Sequence, residues 1–194
     1  MNYGDIQNEA NAFLKIRSVN HLADFLETPP YALQFLIDRP PYKTFTIPKP
    51  NGGKRLIEEP HDVLKTVLQK LNDAFQCVYY LNRSTAAFGF QWAVPQEGSP
   101  RNIVSNAAQH LNRNWMLNAD FQDFFHQISS ERIFKLFSNK PFNFDADVAD
   151  LLTKLCCYNS RLPMGSPISP VLSNFATLQL DADLLEFSAK NKLT

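Results

Sequence analysis

From residue 6 to residue 38, apolar positions recur at helical spacing: Ile6, Ala10, Phe13 and Leu14, then Leu22, Phe25 and Leu26, then Leu33, Phe35 and Leu36. Thr28-Pro29-Pro30 and Arg39-Pro40-Pro41 punctuate the run and Ser18 offers an N-cap, so two or three short helices are expected. They read as a packing platform without chemistry, with His21 a surface or satisfied histidine without a role. The period then changes. Over Tyr42 to Ile57 residues alternate as far as Ile47, Pro50-Asn51-Gly52-Gly53 turns the chain, and a short second strand follows, which makes a β-hairpin.

From His61 to Tyr80 the helical period returns, placing Val63, Leu64, Val67, Leu68, Leu71, Phe75 and Val78 on one face. Lys65 and Lys70 point elsewhere; a solvated face and a contact with a polyanion both fit them. In Trp115 to Ile128, apolar residues lead up to Asp120 and Phe124-Phe125 follows, which predicts a strand that leaves the core and presents a carboxylate at its end. Two amphipathic helices are expected at Ser130 to Ser138 and Phe144 to Tyr158, joined by Asn139-Lys140-Pro141. Asp145, Asp147 and Asp150 favour the macrodipole in the first turns of the second helix. In Leu162 to Asn174 a Pro-x-Gly-Ser-Pro run opens a further helix, expected to continue through Leu172, Phe175, Leu178, Ala182 and Leu185 to about Ala189. Asp181 and Asp183 are placed on its wet side.

With 194 residues and 44% hydrophobic content, the chain is long enough to bury a core as one domain or somewhat more. Nineteen basic and nineteen acidic side chains give no net charge, so any contact with nucleic acid must be local. The start, MNYGDIQNEA, lacks the regions of a signal peptide and no apolar run is long enough for a bilayer; a cytoplasmic protein without membrane contact is expected. Cys77, Cys156 and Cys157 lack zinc-site spacing and read as buried thiols in a reducing compartment.

Candidate chemistry gathers at a few points. Lys43, Lys49, Lys54 and Arg55 sit on the hairpin with no acidic residue among them, and Glu58-Glu59 follow at once. As a charge cluster alone this is a solvated hairpin. Asp120 alone is a turn or cap residue, and Asn106 with His110, one helical turn apart, is a local polar contact. Gly165 lets backbone approach a ligand.

In their order and separation, Trp115 to Ile128 and Leu162 to Asn174 resemble the first palm motif and the following nucleotide-binding motif of reverse transcriptases. Asn106-Ala107-Ala108-Gln109-His110 is similar to the NAxxH signature of the bacterial retron type. Ile47-Pro48-Lys49-x-Asn51-Gly52-Gly53-Lys54-Arg55-x-Ile57 resembles the fingers hairpin of retron and group II intron polymerases. The resemblance covers nearly the whole chain after about Leu33. It implies an α+β, right-hand fold with mostly helical fingers, divided into an N-terminal helical segment (1–41), fingers (42–114) and a partial palm (115–194).

The resemblance also implies roles. Asp120 matches the first metal carboxylate and the backbone carbonyl of Phe121 its companion ligand, for two Mg2+ ions with Mn2+ as the alternative. Arg55, aided by Lys49 and Lys54, matches the clamp on the nucleotide triphosphate. Phe125 matches the aromatic beneath the nucleotide sugar that excludes a 2′-hydroxyl; Asp123, Met164, Gly165 and Ser166 complete the implied nucleotide site. Phe88, Asn106 and His110 are implied to contact RNA, Phe88 by stacking. Two departures stand out. Many relatives carry histidine at Phe88 and glutamine at Met164, and methionine cannot donate the hydrogen bond to the sugar.

The implied activity is RNA-directed DNA polymerisation from dNTPs, copying a structured non-coding RNA into DNA in antiphage defence, with an effector protein as a further partner. The family's second carboxylate motif, x-Asp-Asp, is expected just beyond Thr194, so the 194-residue chain alone is expected to be inactive and its central palm strand to be an unpaired edge. Two alternatives stay open: a group II intron-like or other defence-associated reverse transcriptase, and a non-catalytic relic that binds RNA or protein.

Overall fold

The longest element, α4 (Asp62–Asn82), has 21 residues and runs about 30 Å at the α-helical rise. Phe13 from near the N-terminus and Phe137 and Phe142 from later in the chain pack on its Phe75. The structure, a computed structural model, describes residues 2–50, 52–92, 94 and 100–193; Asn51 of the expected turn lies outside them. Along α4, Leu64, Val67, Leu68, Leu71, Phe75 and Val78 are buried, as the helical period requires. Val63, expected on the same face, is 69% exposed. It lies about 100° round the helix from Leu64, which takes the inner position instead.

Three helices precede the hairpin: α1 (Tyr3–Leu14), α2 (Val19–Phe25) and α3 (Pro30–Asp38). Asn2 and Asp5 form a reciprocal capping box at α1, the Ser18 hydroxyl accepts the His21 N–H at α2, and Pro30 opens α3. Leu33 and Leu36 fill the inner side of α3, so Phe35, expected inward, is exposed. Strands β1 (Tyr42–Pro48) and β2 (Lys54–Pro60) pair antiparallel from Tyr42↔Pro60 to Pro48↔Lys54. The second strand thus extends past Ile57, its expected end.

After the hairpin and α4 come α5 (Ile103–Ala108), a 3-10 turn (Phe124–Gln127), α6 (Ser130–Ser138), α7 (Ala146–Cys156), α8 (Ser169–Ala176) and α9 (Leu178–Asn191). With a two-stranded sheet among these helices, the described residues form an α+β fold. Phe142, in the α6–α7 connection, is the hub of the core. Its ring meets Phe13 of α1, Phe75 of α4, Phe137 of α6, Phe144 and Phe175 of α8, with centroids 5.0 to 6.4 Å apart. Edge-to-face and tilted pairs of this kind add to the burial of each ring.

Four expectations from Trp115 onward need correction. Trp115 to Phe121 forms no regular strand: it pairs with neither strand of the sheet, and Trp115 and Leu117 are 94% and 92% exposed. Without a hydrogen-bonded neighbour and a surface to bury one face, alternating apolar residues do not make a strand. The helix expected over Phe144 to Tyr158 is the shorter α7. The long helix expected to follow Gly165 breaks at Thr177, whose hydroxyl bonds back to the Ser173 carbonyl at 3.0 Å, a contact that bends helices. Beyond the break, α9 carries Leu185 on an exposed face with Leu184 and Phe187. Asp181, expected on the wet side, is half-buried, and that burial raises its carboxyl above the ordinary value.

His21 is exposed, and all three cysteines are buried thiols. Burial pushes Cys157 up to about 12, so it is neutral and unreactive at physiological pH. Lys65 and Lys70 pair with Glu59 and Glu27. Among the described residues no helix is long and apolar enough to cross a membrane.

Candidate active site

The hairpin sets one wall of a cleft. Its tip is closed by Lys49 N–H to the Gly53 carbonyl and Gly52 N–H to the Lys49 carbonyl, both 3.1 Å, with Gly52 and Gly53 at φ +85° and +83°. Side chains alternate along β2, so Arg55 and Ile57 look into the cleft while Glu58 looks inward. The opposite wall is the segment from Asp120 to Phe125, with Phe90 and Met164 closing the sides. The open cleft has a volume of about 630 Å³, within the range of small-molecule sites.

Of the residues singled out in the sequence, Lys49, Arg55, Asp120, Phe121, Asp123, Phe125 and Met164 converge here. Lys54, exposed at the far end of β2 opposite Pro48, does not line the cleft. Asn106 and His110 are exposed and outside it; α5 ends at Ala108, so His110 sits in the following turn rather than on the expected helical face. Phe88 lies under the Arg101 guanidinium, 5.8 Å from its ring centre, while Arg101 donates to the Ser84 and Ala87 carbonyls. Ser166 is buried, its hydroxyl shut off from solvent near that of Tyr42. It belongs to the floor under the cleft.

Gly165, at φ +129°, lets backbone approach backbone: an added Cβ would stand 2.9 Å from the Glu58 carbonyl oxygen. The Glu58 N–H also donates to the Met164 carbonyl at 2.7 Å. The close partner of Gly165 is therefore β2, and the loop carries Met164 on the end of the hairpin.

On the opposite wall, Asp123 takes the left-handed conformation (φ +48°) and turns the chain into the Phe124–Gln127 turn. Lys49 stands 3.9 Å from Asp123, both well exposed, a pair worth under about 1 kcal/mol and easily exchanged for a ligand anion. Phe121, Phe124 and Phe125 follow one another at 5.7 and 5.8 Å, and Phe90 faces Phe125 at 6.0 Å. Phe90 was not singled out in the sequence. It holds a left-handed φ of +59°, and Gln76 of α4 fixes it by donating to its carbonyl at 3.0 Å and accepting the Trp92 N–H at 3.2 Å. A glutamine on the otherwise apolar buried face of an amphipathic helix was the available signal.

Chemically, the cleft opposes two cations on one wall with the carboxylates of Asp120 and Asp123 on the other. Asp120 and the exposed Phe121 backbone offer hard oxygen donors, which fit a divalent cation that keeps waters and takes its remaining ligands from phosphate. Among the described residues no group of three or more His, Cys, Asp or Glu is disposed around a metal position. The fit is thus to a shell with fewer than three such protein side chains and open positions.

Residues 47–193 match the family described as reverse transcriptase (RNA-dependent DNA polymerase). The chain is 32% identical over 146 residues to the retron Ec86 reverse transcriptase of Escherichia coli, covering 72% of this chain and 41% of that protein. It is 25% identical to the retron Ec83 reverse transcriptase of Escherichia coli, over 79% of this chain and 49% of that protein. A third relative, the retron Mx65 reverse transcriptase of Myxococcus xanthus, is 30% identical over 74% of this chain and 35% of its own length. The chain thus spans about half, or less, of the curated relatives it matches.

Proposed function

The chain belongs to the reverse transcriptase family, with bacterial retron enzymes among its relatives, and on that premise we propose that it forms the fingers and first half of the palm of a right-hand, RNA-directed DNA polymerase of retron type. The helical segment 1–41 backs the fingers (42–114), and 115–194 begins the palm. The observation that carries this reading is the convergence of Lys49 and Arg55 on Asp120, Phe125 and Met164, residues far apart in sequence, around one cleft of nucleotide size.

In this reading the primer 3′-hydroxyl attacks the α-phosphorus of a bound dNTP and pyrophosphate leaves. Asp120 and the Phe121 carbonyl would hold the divalent cations, Mg2+ or Mn2+, and the ions when bound would supply charge to acidify the primer hydroxyl and offset the triphosphate. Arg55 grips the β- and γ-phosphate oxygens with its fork of donors and Lys49 adds a point charge, so negative charge is offset where pyrophosphate departs. Asp123, which touches Lys49, keeps that charge in place until a triphosphate displaces it. The Phe125 ring occupies the space a 2′-hydroxyl needs, and Met164 gives the sugar an apolar contact. The partners are dNTPs, a structured non-coding RNA as template, its DNA product and an effector protein of antiphage defence, in the cytoplasm.

Replacing Arg55 with alanine in the full-length protein tests the assignment of the cleft. The KM for dNTP in RNA-templated synthesis is expected to rise about ten- to a hundredfold, the worth of one or two charge-assisted hydrogen bonds. An unchanged KM would remove the triphosphate from this wall.

A further inference from the structure

Glu58 is the one carboxylate among the described residues buried to 1% exposure, and it does not touch the cleft. It sits on β2 between Ile57, which lines the cleft, and Glu59, which reaches outward to Lys65. Burying a carboxylate is costly unless it is paired, and an apolar side chain would fill this inward position without that cost. Its partners explain its presence. Oε1 accepts from Arg161 Nη2 at 2.9 Å and from Asn159 Nδ2 at 3.4 Å, while Oε2 lies 3.2 Å from His126 Nε2, a close approach of two buried atoms outside hydrogen-bond geometry that becomes an ion pair when the imidazole is protonated.

Those partners come from two different places. His126 directly follows Phe125 in the aromatic turn, and Arg161 lies in the loop that leads to Met164 and Gly165. Arg161 is itself anchored, because Leu162 N–H donates to the Ile128 carbonyl at 3.0 Å and Ser130 N–H to the Ser160 carbonyl at 2.9 Å. The loop and the aromatic turn are therefore already stitched together, and Glu58 ties the hairpin to both. Backbone contacts reinforce the same junction through Glu58 N–H to Met164 and the Gly165 approach to the Glu58 carbonyl. Above it, the Tyr42 ring of β1 stacks on Tyr158 at 4.3 Å.

We propose that Glu58 is a positioning residue for nucleotide addition: one buried carboxylate, shared by Arg161 and His126, sets the spacing between the Arg55 wall and the Phe125–Met164 wall of the cleft. The proposal rests on the reading of the cleft as the nucleotide site. It follows that Glu58 governs how tightly the nucleotide is held and how closely its sugar is fitted, more than the rate of the chemical step.

The test is steady-state RNA-templated synthesis by the full-length protein, with Glu58→Gln, which keeps volume and loses charge, and Arg161→Lys, which keeps charge and loses the fork. For Glu58→Gln, the KM for dNTP is expected to rise about tenfold or more and discrimination against ribonucleotides to fall by about tenfold, with kcat within about threefold of wild type. Arg161→Lys is expected to lie between the two. If Glu58→Gln does not accumulate as folded protein, Arg161→Lys is read by the same two quantities. KM and sugar discrimination both within about twofold of wild type would overturn the proposal, whether kcat holds or falls, since a merely structural residue lowers the active fraction and leaves both ratios alone. Asp120→Ala serves as the separate control: if it retains synthesis, the reading of the cleft fails, whatever Glu58→Gln does.

Discussion

Asp120→Ala in the full-length protein is expected to lower RNA-templated DNA synthesis by about 10³-fold or more while the fold is kept. The magnitude follows from the loss of several kcal/mol of metal-centred charge stabilisation, at about 1.4 kcal/mol per factor of ten. Stability is expected to be untouched because Asp120 is exposed and belongs to an irregular segment that pairs with neither strand of the hairpin. A side chain with no packing duty, placed at the mouth of a cleft opposite Arg55 and Lys49, has little to lose on truncation except its chemistry. Primer extension with thermal unfolding measured in parallel checks both halves. Synthesis within about tenfold of wild type, with the melting temperature unchanged, would remove Asp120 from the metal centre.

The largest effect on stability is expected at Phe142→Ala. The ring is almost wholly buried and in contact with five other aromatic rings drawn from α1, α4, α6, α8 and its own connection. Truncation leaves a cavity that five elements would have to collapse around together, so the full cost of about 3–5 kcal/mol applies. For a chain of this size that is a fall in melting temperature of about 10 °C. Differential scanning calorimetry reads it directly, and a fall of less than about 3 °C would show that this cluster is not the hub of the core.

Most of what was legible in the sequence was local. Alternation up to Ile47 with the glycine pair after it found the hairpin, and the apolar face of α4 followed from its period at every position but Val63. Ser18 was readable as a cap because capping depends on one side chain and a turn of backbone. What depended on distant neighbours was read wrongly or not at all. Trp115 to Phe121 has the composition of a strand but no strand partner among the described residues, and periodicity carries no information about partners. Thr177 is a local exception: it breaks a helix whose apolar spacing runs straight through it, because its hydroxyl competes for the Ser173 carbonyl, which apolar period does not register.

The candidate site was legible where motif order carried it, in Lys49, Arg55, Asp120, Phe125 and Met164, which share the cleft. Its support was hidden. In the sequence Glu58 is one of two adjacent acids that follow the basic run, with no role assigned, and strand alternation turns it inward and leaves Glu59 outside. Arg161 and His126, separated from Glu58 by 103 and 68 positions, gave no hint that they meet it. Gly165 was read as room for a ligand and is room for the Glu58 backbone.

The central claim is that the cleft between the hairpin and the Asp120 to Phe125 segment holds the incoming nucleotide. The measurement that tests it most directly is photo-crosslinking of an azido-deoxynucleoside triphosphate to the full-length protein in Mg2+, with the modified peptides mapped by mass spectrometry. Attachment is expected on Lys49 to Ile57, on Asp120 to Phe125 or at Met164, competed away by unlabelled dNTP. Competable attachment confined to other parts of the chain would contradict it.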